Sequence, residues 1–291
     1  MLRLVNQEHT PIHLPESNPG LREKILIGTS GFSYRDWVGP AYPPGTATRQ
    51  MLEYYARWFS TVEINATFYA SRPPDNRARL NPAMAENWIA ITNGRVQFCV
   101  KAPRVFSHER RGPKENGTVF KEFLAPLIEA RALGCVLIQF PQSFRPGPEQ
   151  LAYVSKFRDY LRDVPVAAEF RHRSWAAPRV FELLVREQIS YVCVDEPQLS
   201  ALLPPIVRAT AAVAYVRFHG RNAERWYDHE QAWQRYDYSY TDGELEEWAG
   251  KLEYLASAAE VERIHAFFNN HAHGQAVDNA RRLRMIIDRR M

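Results

Sequence analysis

Val164-Pro-Val-Ala-Ala-Glu-Phe-Arg-His-Arg-Ser-Trp175 is the stretch around which the chain is best read. A short apolar run, Val166 to Ala168, delivers Glu169 and Arg171 with the apolar Phe170 between them. Side chains alternate faces along a strand, so Glu169 and Arg171 share one face while Phe170 takes the other. An acid and a guanidinium therefore meet at the carboxyl end of a core strand. They form either an ion pair closing that strand or part of a larger site, and the way the other strands end favours the site.

Working outward, seven more short apolar runs have the same character: Lys24–Gly28, Thr61–Asn65, Gln97–Lys101, Cys135–Gln139, Ser190–Asp195, Ala214–Gly220 and Arg263–Asn270. Helical patterns separate most of them. One begins near Thr46 or Thr48 and runs to Phe59, with apolar positions Met51, Leu52, Tyr55, Trp58 and Phe59. Others cover Val119–Leu133, with Gly134 as its stop, then Pro148–Arg162, Pro178–Gln188, Asp242–Ala258 and Gly274–Arg290. A short Pro-rich crossover joins strands six and seven. Strands alternating with helices imply a parallel sheet with helices outside it, and eight such units predict an α/β fold, a single closed (β/α)8 barrel of the TIM type. Neither Gly-x-Gly-x-x-Gly nor Gly-x-x-x-x-Gly-Lys-Ser/Thr follows any strand, which argues against an open nucleotide-binding sheet. The expected organisation is a polar N-terminal tail over residues 1–23, rich in Pro and without apolar period, then one barrel domain over 24–291.

Bulk properties agree. The 291 residues are 45% hydrophobic, enough for a sizeable core, and the formal charge of +4 neither requires nor excludes a nucleic-acid partner. No apolar run approaches the roughly 18 residues of a membrane span. The polar start is unlike a secretory signal. Cys99, Cys135 and Cys193 each sit inside an apolar run and read as reduced core residues rather than a disulfide framework. A cytoplasmic protein with no membrane partner is expected.

Barrels of this type place their chemistry at the carboxyl ends of the strands. Here those ends bring Thr29 and Ser30, Glu63 and Asn65, Lys101, Gln139, Glu169 and Arg171, Asp195, Arg217 and His219, and Asn269 and Asn270. Buried charges must satisfy one another or a ligand. Lys101, Arg171 and Arg217 suit the oxygens of an anion. Glu63 and Glu169 are the expected acid–base pair and His219 a proton shuttle. Thr29, Ser30, Asn65, Gln139, Asn269 and Asn270 are the expected substrate-binding groups. If a divalent metal serves as cofactor, its ligands would come from Glu63, Glu169, Asp195 and His219. Two further segments draw attention: the basic run Lys101–Lys114, and Arg221–Tyr240, where Arg alternates with Trp and Tyr. Such composition suits either nucleic-acid binding or a loop packed over the barrel end.

Seven ordered motifs bear a family likeness. They are Ile27-Gly-Thr-Ser-Gly31 with Trp37, Thr61-Val-Glu-Ile-Asn-Ala-Thr-Phe-Tyr69, Lys101-Ala-Pro103, Leu133-Gly to Phe144, Glu169-Phe-Arg-His-Arg-Ser-Trp175, Tyr215-Val-Arg-Phe-His-Gly220, and Phe268-Asn-Asn-His271 through Asn279-Ala. Over residues 24 to 288 the chain resembles the YecE-like family, known as domain of unknown function 72. The resemblance implies a TIM-type barrel and supplies no activity. From the residues, the first expectation is an enzyme acting on a phosphorylated or nucleic-acid-like anionic substrate, with phosphoester hydrolysis the named reaction. The alternatives are a non-catalytic nucleic-acid-binding module and a sugar or sugar-phosphate isomerase or lyase.

Overall fold

Each of the eight apolar runs forms a strand. In the computed structural model, which describes residues 19–72, 76–110 and 114–290, they are β1 (Ile25–Thr29), β2 (Thr61–Ile64), β3 (Gln97–Lys101), β4 (Leu133–Gln139), β5 (Val166–Glu169), β6 (Ile189–Asp195), β7 (Val213–Phe218) and β8 (Arg263–Phe268). Helices α1 (Pro19–Lys24), α2 (Met51–Tyr55), α3 (Pro82–Thr92), α4 (Glu115–Glu129), α5 (Pro148–Tyr160), α6 (Pro178–Arg186), α7 (Asp242–Ser257) and α8 (Gln275–Arg290) complete the alternation. All eight strands are parallel in one sheet that runs from β1 through β8 and back down in order to β2. This is an α/β TIM-type barrel. The link from β6 to β7 carries no helix. There the chain covers the outer face of β6 directly, with Arg208 bonded through its backbone to the Cys193 thiol.

Closure between β1 and β2 is made differently from the other seven contacts. No ladder joins them, only a single parallel bridge between Ser30 and Glu63, with Gly31 N donating to the Glu63 carbonyl at 2.8 Å. One step below, the phenol of Tyr55 stands between the strands. Thr29 N donates to its hydroxyl at 2.9 Å, and that hydroxyl donates to the Thr61 carbonyl at 2.9 Å. Gly28 makes this possible, because a Cβ at that position would fall on the Thr61 carbonyl oxygen. Both orphan backbone groups of the seam are thus satisfied by one side chain brought in by α2.

Two expectations are corrected. Helix α4 ends at Glu129, and Gly134 is not its stop but a residue inside β4. Its lack of a side chain admits the His265 ring from β8, which a Cβ there would meet at 2.8 Å. Regular structure also begins ahead of the expected boundary at residue 24. Pro19–Lys24 is helical and tied down, with Arg22 paired to Asp288 at 2.6 Å and Lys24 Nζ bonded to the Ala256 carbonyl. The expected tail over 1–18 lies outside the described residues.

The outer face of β5 fixes the strand end first singled out. Phe170 stacks on Trp175 with ring centroids 3.9 Å apart, and Trp175 continues the stack to Phe144 at 5.2 Å. The Trp175 indole donates to the Phe144 carbonyl at 2.6 Å. Stacked, fully buried rings leave little freedom for the backbone that carries Glu169 and Arg171. Among the described residues, no helix is long and apolar enough to cross a membrane.

Candidate functional site

Alternation places Ser30, Glu63, Asn65, Lys101, Gln139, Glu169, Arg171, Arg217, His219 and Asn269 on the barrel's inner face, where they bond to one another. Arg217 of β7 is the centre. One arm of its guanidinium, Nη1, donates to Glu169 Oε2 at 2.5 Å. The other, Nη2, donates to Glu63 Oε1 at 2.6 Å and to Ser30 Oγ at 3.0 Å. The fork thus holds two carboxylates from opposite sides of the barrel, and all three residues are buried.

Each carboxylate is well furnished with donors. Glu63 accepts at Oε1 from Ser30 Oγ as well as from Arg217, and at Oε2 from the Tyr215 hydroxyl at 2.8 Å. Asn65 adds a bond to Ser30 Oγ at 2.7 Å. Glu169 Oε1 accepts from Gln139 Nε2 at 2.9 Å and faces Arg171 Nε at 2.9 Å and His219 Nε2 at 3.1 Å. Burial pushes the Glu169 carboxyl up, but Arg217, Arg171 and His219 outweigh it and hold the group well below the usual carboxylate range. Glu169 is therefore ionised.

His219 is a neutral imidazole. Burial, joined by repulsion from Arg171, takes it down to about 3 against the pull of Glu169. With Nε2 carrying the proton toward Glu169, Nδ1 accepts from the Asn269 amide at 3.1 Å. The geometry suits a group that positions Glu169, whose oxygens are already crowded.

Lys101, itself buried, and Arg171 stand at the edge of the cluster. Lys101 Nζ donates to Gln139 Oε1 at 2.8 Å and lies 4.2 Å from the centre of the Phe68 ring. Burial first, then repulsion from Arg217, brings it down to about 7 against the attraction of Glu169 and Glu63. Arg171 retains 13% side-chain exposure. Its Nη1 faces Glu196 Oε2 at 3.8 Å, beyond hydrogen-bond range. Glu196 is pushed up to about 8, chiefly by burial, so it carries a proton at neutral pH. Sequence reasoning missed Glu196. The signal was there, because it stands two residues beyond the inward-facing Val194.

Known proteins share this fold. The family model described as "Protein of unknown function DUF72" matches residues 26–291. This chain is a DUF72 protein. It is 34% identical over 281 residues to the UPF0759 protein YunF of Bacillus subtilis, covering 91% of this chain and 95% of that one. A DUF72 family crystal structure from Thermotoga maritima superposes with a TM-score of 0.80 at 35% identity, covering 91% of this chain and 99% of the other. One from Enterococcus faecalis does so with 0.77 at 27% identity, over 91% and 95% of the two chains.

Three residues expected in the site of this DUF72 barrel point away from it. Thr29, beside Ser30, spends its hydroxyl on the Gly31 carbonyl and on Tyr55 in the seam. Asn270, beside Asn269, bonds outward to the Tyr238 carbonyl and to Asn279. Asp195 also faces outward, gripped by Arg221, by the Tyr240 hydroxyl at 2.8 Å and by the Trp248 indole at 2.6 Å. It cannot join Glu63, Glu169 and His219 around a metal. Among the described residues, no three His, Cys, Asp or Glu side chains gather as a metal site would require.

The DUF72 barrel also uses its two surface segments structurally. Asp195 anchors Arg221, which pairs as well with Glu244 at 3.2 Å. Trp226 is buried, with the Arg235 guanidinium over its ring at 5.5 Å, and Tyr236 comes within 5.9 Å of the His219 ring. Residues 221–240 therefore cap one side of the barrel end. In the basic run, Arg104 pairs with Glu109 at 2.8 Å and Arg110 lies over Phe144 at 5.0 Å. Arg111 lies outside the described residues.

Proposed function

We propose that this DUF72 barrel is an enzyme that binds a small phosphate-bearing substrate beside Lys101 and Arg171 of its ionic cluster and transfers protons there. The observation that carries this reading is the mismatch around Arg171. Its Nε is taken by Glu169, while its Nη1 stands 3.8 Å from Glu196, too far for a hydrogen bond, and burial pushes that carboxyl toward its neutral form. Beside it, Lys101 contacts an amide and a ring rather than a carboxylate. A guanidinium fork with an unfilled edge next to an ammonium suits the oxygens of a phosphate. Asn65 Oδ1, Arg217 Nε and Glu196 Oε2 are likewise buried without a hydrogen-bond partner, as in a site made to receive something polar.

The chemistry best supported is that of a sugar-phosphate isomerase or lyase. Phosphoester hydrolysis would ask Glu63 and Glu169 to hold a metal or activate water, and both are already engaged by Arg217. Lys101, near 7, and Glu196, near 8, are instead placed on the pH scale to exchange protons in neutral solution. A nucleic-acid-binding module draws less support, since Arg104 and Arg221 spend their charges inside the fold. Isothermal titration with glycerol 3-phosphate tests the anion site. Arg171→Gln should weaken binding at least tenfold, as losing a charge-assisted hydrogen bond of about 1.5–3 kcal/mol implies. Unchanged affinity in the variant would remove Arg171 from the site.

A further inference from the structure

We infer that Lys101 is a nucleophilic amine that condenses with the carbonyl of a phosphate-bearing aldehyde or ketone, because β3 places it on the Arg171 side of the cluster, held by an amide and an aromatic face instead of a carboxylate. The inference rests on the anion site proposed above and names the substrate class for it.

The holding groups matter more than the burial. Gln139 cannot turn its amide, since its Nε2 donates to Glu169, so its carbonyl end must face Lys101. A carboxylate partner would lock the lysine as an ammonium. An amide carbonyl can accept from an ammonium or, more weakly, from an amine N–H, and so contacts Nζ in either state. Among the described residues, no carboxylate comes within 4 Å of Nζ. The carbonyl of Lys101 accepts from the Thr67 hydroxyl at 2.5 Å, which fixes the end of the strand behind the side chain. Burial first, then Arg217, lowers the ammonium to about 7, which raises the share of free amine above that of an ordinary lysine. Arg171 reaches the same inner face through Glu169, the residue Gln139 also touches. A phosphate held by Arg171 would thus lie on the same inner face of the barrel as Nζ.

The condensation balances without a further reagent. The nitrogen lone pair forms the C–N bond, the carbonyl oxygen takes up the two protons that nitrogen releases, and it departs as water to leave an imine. A third proton, taken by the imine nitrogen, yields the electron-poor iminium that makes the neighbouring C–H or C–C bond easier to break.

The chain's six lysines are Lys24, Lys101, Lys114, Lys121, Lys156 and Lys251, so an adduct is readily mapped. The full-length protein is incubated with dihydroxyacetone phosphate and sodium borohydride, then analysed by intact mass and peptide mapping. The expected result is one adduct per chain on Lys101, of the substrate's mass less one oxygen. It should vanish in Lys101→Arg, with folding confirmed by circular dichroism, and fall at least tenfold at low substrate in Arg171→Gln. Labelling spread over the other lysines and unchanged in Lys101→Arg overturns the inference. Glycerol 3-phosphate, which lacks the carbonyl, separates the two readings. If it binds and the ketone leaves no adduct on Lys101, the imine falls and the anion site stands. If neither compound binds or reacts, both fall.

Discussion

Arg217→Met is the sharpest perturbation of the ionic cluster, because it removes one side chain and strands two. The methionine fills much of the same space, so little of the effect comes from a cavity. What remains is a buried Glu169 and a buried Glu63, both bonded to that guanidinium in the intact protein. Breaking a buried pair by removing one partner costs about 3–5 kcal/mol. With two carboxylates stranded, the upper half of that range applies, corresponding to a melting temperature lower by roughly 10 °C. The pH dependence identifies the cause. In the intact protein Glu169 is held below the ordinary carboxylate range, so its ionised form stabilises the fold above about pH 4 and the benefit fades as pH falls through its folded value. Without Arg217, burial is no longer outweighed by the same set of charges, and the carboxyl rises. Lowering the pH from 7 to 5 then neutralises a stranded charge, and the stability gap to the parent narrows. Urea melts at both pH values measure this. A gap under about 1 kcal/mol at pH 7, or one that widens toward pH 5, would refute the placement of Arg217 as the clamp on both carboxylates. Replacing Glu63 and Glu169 by Gln in the same background should recover much of the loss.

Three other expectations follow from the same geometry. Tyr55→Phe leaves Thr29 N and the Thr61 carbonyl buried without partners, so it should cost about 1–3 kcal/mol in a urea melt and speed amide exchange at Thr29; parent-like exchange there would contradict the seam. Asp195→Asn should loosen the 221–240 cap, seen as faster proteolysis, while affinity for glycerol 3-phosphate stays within twofold, because Asp195 faces outward. Sulfate, which keeps its charge across the range, should bind more weakly as pH rises through about 7 and Lys101 loses its proton. His219, already neutral above about 3, should contribute no step between pH 5 and 8 in that titration.

The barrel could be read from the chain because its signals are local: apolar runs of strand length, and helices announced by Pro at the first turn, as in α5 and α6. Most of the inner cluster was legible for the same reason. The errors within the cluster share one cause, which is that neighbours were grouped where alternation should have separated them. Ser30 faces in and Thr29 out, Asn269 in and Asn270 out, and Asp195 yields its place to Glu196. Other features depend on partners distant in sequence, and no local pattern announces them. Gly134 looks like a helix stop until His265, 131 positions later, is seen to need the space. Tyr55 looks like one more apolar helix position until its hydroxyl is found in the seam.

The stitched contact between β1 and β2 also bears on the order in which the molecule assembles. β1 makes its only full ladder with β8, from Ile25 opposite Ile264 to Thr29 opposite Phe268, a pairing that spans nearly the whole described chain. Its sequence-near neighbour offers only a bridge and a borrowed hydroxyl. Loop closure over that distance must be met before the ladder returns anything, so β1 is expected to dock late in folding. A growing chain lacking residues 263–268 would carry Arg217 and Glu169 in a sheet with an unguarded edge.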